Sequence, residues 1–152
     1  METQHVDPNT VRVWRWHALV TSMVCALPIL VILWRVNEAI WLLLLLLYGV
    51  IAAYLIWVWP PAYFDALEYG VDDHGIVIHR GVFWRSRIAL PRVRVQHSDV
   101  SQGPLQRRFG VATLKLYTAG SRFTKIELPG LAHEDALVLR DSLLARGGES
   151  GV

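Results

Sequence analysis

A single cysteine, Cys25, occurs among the 152 residues. No internal disulfide can form, and no cysteine-clustered zinc site can be built. Cys25 falls inside an apolar run and reads as a small packing residue, because a reactive thiol needs an accessible, electropositive setting. Charge is missing from two long stretches: no Lys, Arg, Asp or Glu occurs from His17 to Trp34 or from Ala39 to Trp59. A proton relay or ion path needs ionisable groups at mid-membrane, and these stretches supply none. Neither G-x-x-x-x-G-K-[ST] nor G-x-G-x-x-G occurs, so the chain carries no nucleotide-binding signature. Acids are scarce between residues 80 and 108, where Asp99 alone accompanies Arg80, Arg85, Arg87, Arg92, Arg94, Arg107 and Arg108. That local excess of positive charge sits in a chain whose formal net charge is only +2.

Hydrophobic residues make up 53% of the chain, high for a water-soluble domain. The uncharged stretches 17–34 and 39–59 reach about 27 and 31 Å as helices, close to the hydrocarbon thickness of a bilayer. The Leu, Ile and Val of the second favour insertion by about 4 to 7 kcal/mol. Both are read as transmembrane helices. Trp14, Trp16, Trp34, Trp41, Trp57 and Trp59 cluster at their ends, as residues do whose ring is apolar and whose N–H seeks a polar partner. Only Trp84 lies elsewhere. Arg35 to Glu38 forms the expected hairpin turn, and Pro60-Pro61 is expected to end the second helix. A cleaved signal peptide fits poorly, because the leader METQHVDPNTV is not basic and no A-x-A-like site follows. Ser22 and Ala26 on the first span, and Gly49 and Ala53 on the second, have the spacing of a close-packed helix seam. They read equally well as ordinary small residues. Pro28 is expected to kink the first helix.

Residues 62–147 form the expected globular part, preceded by a juxtamembrane segment, 1–16, and followed by a disordered tail, 148–152. Strands are expected at 64–72, 76–80, 84–90, 93–100, 111–119 and 122–128, with breaks at Asp73-His74-Gly75, Gly81, Pro91, Gly103-Pro104 and Ala119-Gly120-Ser121. In VATLKLYT, Ala112, Leu114 and Leu116 alternate with Thr113, Lys115 and Tyr117; in RVRVQ, Val93 and Val95 are expected inward, Arg94 and Gln96 outward. One buried and one wet face imply antiparallel sheet. After Pro129-Gly130 the period changes, and Ala132, Ala136, Leu139 and Leu143 form a helical stripe bordered by Leu137 and Leu144. Glu134 and Asp135 suit its N-terminus, Arg146 and Gly147 its C-terminus. The fold class is α+β: an apolar helical hairpin, then strands, then one amphipathic helix.

Pro91, Arg94, Val95 and Gln96 match a P-x-x-R-h-Q strand, residues 103–110 read GPLQRRFG, and Leu128-Pro129-Gly130-Leu131 with Ala136 matches a closing I-P-G-L…A. On these motifs, residues 15–146 resemble bacterial membrane proteins of the YdbS-like group, whose soluble part is a bacterial pleckstrin-homology (PH)-like domain. The resemblance implies a strongly bent antiparallel sheet or barrel capped by the C-terminal helix, a non-enzymatic role, and a membrane partner carrying related PH-like domains. Self-association is left open. It also implies the bacterial inner membrane. Arg12, Arg15 and the arginine-rich tail oppose Arg35, so both termini of this multi-pass chain are expected in the cytoplasm.

The seven arginines form the candidate site, and two readings compete. In the plainer one, Gly103 to Gly110 is a shaped turn, plugged by Leu105 and Phe109, with solvated arginines. In the other, the arginines face an anionic leaflet or a partner; a basic residue near such a surface contributes about 1 kcal/mol, fading within a Debye length. The His79-Arg80 and Arg85-Ser86-Arg87 pair faintly resembles the hairpin that grips inositol phosphates in eukaryotic PH domains. Solvated strand edges are the plainer account there. Stacking aromatics are not interleaved with these arginines, so no nucleic-acid partner is expected. No catalytic site, cofactor or metal is expected: His97-Ser98-Asp99 are consecutive strand residues that alternate faces, and Asp72-Asp73-His74-Gly75 reads as a turn and not, with Glu68, as a cation site.

Overall fold

A computed structural model of the chain describes residues 3–33, 38–118 and 125–145. Trp34, the turn residues Arg35, Val36 and Asn37, the Ala119-Gly120-Ser121 break, the Arg146-Gly147 helix end and the tail 148–152 lie outside these.

Helices α1 (Asn9–Leu33) and α2 (Glu38–Trp57) pack side by side. Both are long and apolar enough to cross a membrane, and only 6% and 0% of their apolar windows are buried. A core helix of a soluble domain would be covered; these expose Leu, Val and Ile along their length. The partly covered positions mark the seam: Ala18, Ser22 and Ala26 on α1, and Tyr48, Ala52 and Ile56 on α2. The Tyr48 hydroxyl donates to the Ser22 carbonyl across it. Half of the expected small-residue seam is therefore corrected. Gly49 and Ala53 lie one position, about 100°, round the helix; both are exposed, and a Cβ on Gly49 would meet nothing within 4 Å. Cys25 is exposed on α1 rather than packed in the seam. The helix continues through Pro28.

Pro60 and Pro61 do not end the helical course. After a break at Val58 they open a second helix, α3 (Trp59–Asp65), where a missing N–H deprives the helix of nothing and φ is already helical. Phe64 and Asp65 form the last turn of α3, so the strand expected from 64 begins only at Glu68.

The N-terminal segment also departs from expectation. Gln4 and His5 form a strand, β1, paired with Tyr69 and Glu68. Val6, Thr10 and Val13 are buried in the domain at 3%, 2% and 2% exposure. Asp7 starts α1: its Oδ1 accepts the Asn9 N–H at 2.7 Å, satisfying a donor that the helix leaves open. The first turns of the membrane helix thus belong to the soluble body.

That body has two antiparallel sheets. One joins β1 (Gln4–His5), β2 (Glu68–Asp72), β3 (Gly75–Arg80) and β4 (Ser86–Pro91) in that order; the other joins β5 (Val95–Ser101), β6 (Val111–Thr118) and β7 (Lys125–Ala132). Asp72 Oδ1 accepts the N–H groups of His74 and Gly75, both at 2.9 Å, so its carboxylate closes the β2–β3 turn as a side-chain-locked turn does. Ile76, Ile78 and Leu90 from the first sheet meet Leu114, Leu116, Ile126 and Leu128 from the second. Helix α5 (His133–Ala145) covers them with Ala136, Leu139 and Leu143, the expected stripe except for Ala132, which ends β7. Each fully buried aliphatic contributes about 1.5–3 kcal/mol. Burial pushes the Tyr69 phenol above its ordinary pKa, with the negative charge of Asp135 adding to it.

Pro129-Gly130 was expected to separate strand from helix; it lies inside β7 instead. The register shifts there between Ala112 and Thr113 of β6, and Gly130 adopts φ +87°, as a bulge allows. Its carbonyl accepts the Asp7 N–H at 2.7 Å and the Thr10 hydroxyl at 2.9 Å. A Cβ on Gly130 would sit 2.5 Å from Thr10 Oγ1. Gly130→Ala is expected to cost more than about 1 kcal/mol of stability, and Thr10→Val about 1 kcal/mol, both read as lower midpoints in thermal unfolding of the full chain in detergent micelles.

Candidate functional site

The stretch GPLQRRFG folds as a single helical turn, α4 (Pro104–Arg108), rather than an open turn. Pro104 sits at its start, and Gln106 clamps it. The Gln106 Oε1 accepts the Gly103 N–H at 2.9 Å, and its Nε2 donates to Thr113 Oγ1 on β6 at 2.9 Å. That bond explains why Thr113, expected outward, is buried at 9% exposure. Gln102 Nε2 donates to the Val111 carbonyl at 2.9 Å. Gly110 leaves the turn at φ +70°, and its carbonyl accepts the His133 N–H at the start of α5. Leu105 and Phe109 are half-buried, whereas Arg107 and Arg108 are exposed.

Arg92 and Arg94 lie on a 3-10 turn between β4 and β5. This corrects the strand expected from 93: three residues per turn break the two-residue alternation, and Val93 points out at 87% exposure. The Arg92 N–H donates to the His74 carbonyl at 3.0 Å, holding the turn beside the β2–β3 turn.

Arg80, Arg85 and Arg87 belong to the β3–β4 hairpin, where Arg80 faces Ser86 and His79 faces Arg87. Together with Asp65 at the end of α3 and Glu68 on β2, they line an open cleft of about 550 Å³. Among the described residues none of the three arginines has a carboxylate within ion-pair distance; Glu68 instead meets His5 Nε2 at 3.5 Å. His79 also lines the cleft, and its buried Nε2 has no hydrogen-bond partner among the described residues. The fold therefore divides the seven arginines into three groups. Arg87 and Arg92 alone are separated by about 17 Å of strand.

Aromatic residues gather where the spans meet this body. Trp14 packs edge-on against Tyr63 at 5.0 Å between centroids, the Arg15 guanidinium lies 5.2 Å from the Trp57 ring, and Trp59 lies 5.8 Å from Phe83. Trp14, His17, Trp59 and Tyr63 surround a small cavity of about 240 Å³. Trp16 and Trp57 are exposed, and Trp41 is half-buried. Phe83 was not singled out from the sequence. Its signal was the apolar run Val82-Phe83-Trp84 set between Gly81 and the basic Arg85. Elsewhere, His97 and Asp99 are exposed while Ser98 between them is buried, so the three do not converge. Among the described residues no three His, Cys, Asp or Glu are grouped to hold a metal.

A family model described as "Bacterial PH domain" matches residues 13–147. The chain belongs to the bacterial PH domain family. It is also similar to the UPF0699 transmembrane protein YdbS of Bacillus subtilis (strain 168), 33% identical over 91% of this chain and 88% of that protein. No solved structure matches. The YdbS-like resemblance thus holds, and this is a membrane protein built from two apolar helices and a PH-like body. In that body the motif GPLQRRFG has two halves: Gln106 holds the turn, and the arginines face out. Gln106→Ala is expected to lower stability by about 1–2 kcal/mol, whereas Arg107→Ala and Arg108→Ala are expected to stay within about 0.5 kcal/mol, as measured by thermal unfolding in micelles.

Proposed function

We propose that the chain is a non-enzymatic, multi-pass protein of the bacterial inner membrane whose PH-like domain is an interaction module, assembling with a membrane partner that carries related domains. The observation that carries this reading is the absence of a linker among the described connections. Helix α1 has Thr10 and Val13 buried in the domain and runs on without interruption into its apolar stretch. On the other side α2 is followed, after one residue, by α3, whose Phe64 packs against the core. Two helical struts set the height and the orientation of the domain, which suits a body that presents one fixed face and not one that searches on a tether.

Strand β1 precedes the first span and pairs with β2, which follows the second. The two ends of the helical pair therefore meet in one body, which supports two crossings and both termini on one side. The arginines favour the cytoplasmic side. Isolation of the full chain from native membranes in mild detergent is expected to recover a second membrane protein in stable ratio with it. Recovery of the chain alone would overturn the assembly.

A second reading is favoured by the hairpin cleft: Arg80, Arg85 and Arg87 engage the anionic headgroups of the leaflet. Arginine matches phosphate geometry with two parallel hydrogen bonds, and among the described residues these three are not engaged by carboxylates.

A further inference from the structure

Phe83 and Trp84 are 74% and 91% exposed at the tip of the β3–β4 hairpin. Neighbouring apolar side chains of this size are seldom left to water without a use. Their place in the fold supplies the occupant. The Phe83 ring lies 5.8 Å from Trp59, which follows α2 by one residue, where the long apolar stretch ends. The tip is thus held within one ring's reach of the end of a membrane helix. Gly81 turns the chain into the tip at φ +108°, a conformation that L side chains rarely adopt, and a Cβ there would run into the Trp84 carbonyl. The backbone is shaped to carry the two rings outward.

We propose that Phe83 and Trp84 enter the interface of the adjoining leaflet as a third anchor, and that this seats the cleft of His79, Arg80, Arg85 and Arg87 against lipid phosphate. The headgroup half of this proposal rests on the second reading above; the anchor half does not. The order of residues fits the order of layers in a leaflet. Phe83 and Trp84 form an apolar crest, and directly behind it Val82 and the side chains of Arg80, Arg85 and Arg87 line the cleft. Tryptophan suits the boundary, having a large apolar ring and an N–H that needs a partner. Asp65 and Glu68 share the cleft, so its positive charge is local to the hairpin arm. An anionic headgroup, whose phosphate charge is not offset by a cation of its own, suits these arginines better than a zwitterionic one.

The test uses the full chain in lipid nanodiscs, with Cys25→Ala and a polarity-sensitive dye on Trp84→Cys or, separately, on Phe83→Cys. The dye on Asp73→Cys, at the other end of β3, gives the aqueous reference. Discs contain phosphatidylcholine alone or with phosphatidylglycerol, and each contains a lipid spin-labelled near the headgroup. We expect blue-shifted emission at positions 83 and 84, and lipid quenching several-fold above that at 73. Quenching should rise further with phosphatidylglycerol and lose that rise in Arg80→Gln/Arg85→Gln/Arg87→Gln. Quenching at both positions no greater than at 73 overturns the anchor. Blue-shifted emission without lipid quenching also overturns it, because a protein surface then covers the tip. Strong quenching that ignores both phosphatidylglycerol and the glutamine substitutions upholds the anchor and overturns the headgroup contact. The two labelled positions report independently, so misfolding of one variant leaves the other to decide.

Discussion

The carbonyl of Gly130 receives two hydrogen bonds, from the Asp7 N–H and the Thr10 hydroxyl, and the architecture depends on that meeting. The bulge in β7 turns this carbonyl out of the strand ladder, and only glycine leaves room for Thr10 against it. Once Asp7 and Thr10 are held, the start of α1 is held, and with it Val6 and Val13 in the core. A membrane helix is thereby continuous with a soluble domain through ordinary sheet chemistry. Without the bulge, the start of α1 would lose both hydrogen bonds to the second sheet, and the first residues would be held only by β1 and the burial of Val6 and Val13.

The chain faces two solvents, and it changes between them within a single helical turn. Val13 is buried in the protein, and Trp16, three residues on, is half exposed. Between them Trp14 and Arg15 hand the helix over, the first by packing edge-on against Tyr63 and the second by lying over Trp57. A cation over an aromatic face keeps attraction in a poorly hydrated layer. That contact also ties α1 to the end of α2 at the level where water meets lipid. The same boundary explains why Pro60-Pro61 opens a helix. The domain needs Tyr63 and Phe64 brought back to its core at once, and a rigid turn does this with no spare residues.

Much of this was legible in the sequence, and the failures have physical causes. Charge depletion and the tryptophan clusters marked both membrane helices, since hydropathy registers a bilayer directly. The alternation in VATLKLYT and the stripe Ala136, Leu139, Leu143 marked a strand and the closing helix, because one buried face imposes its period. Residues 4–13 were missed, since a two-residue strand followed by a helix that changes environment midway has no period of its own. Pro129-Gly130 looked like a break because those residue types serve turns and bulges alike; which one depends on Thr10, 120 residues away. The arginine cluster was visible as composition but not as geometry. Sequence proximity groups the seven arginines, whereas the fold puts Arg92 and Arg94 on a 3-10 turn and Arg107 and Arg108 on a short helix, apart from the β3–β4 hairpin in the order of elements. Phe83 was passed over because its meaning comes from Trp59, its neighbour only in space.

A domain held by two helical struts has a consequence for the strength of any contact it makes. A freely diffusing module must offset the translational and rotational freedom lost on binding a membrane or a membrane protein. Here that loss has already been met by the two membrane helices. Any ligand within the leaflet then acts at the effective concentration of an intramolecular partner, provided that the geometry lets the site reach it. Weak contacts suffice in that setting, and no deep, enclosed pocket is required. Reach becomes the limiting condition instead of affinity. Reach is set by the meeting of Asp7 and Thr10 with Gly130 and by the short passage from Trp57 to Phe64, so the parts of this protein that recognise nothing decide what the rest can touch.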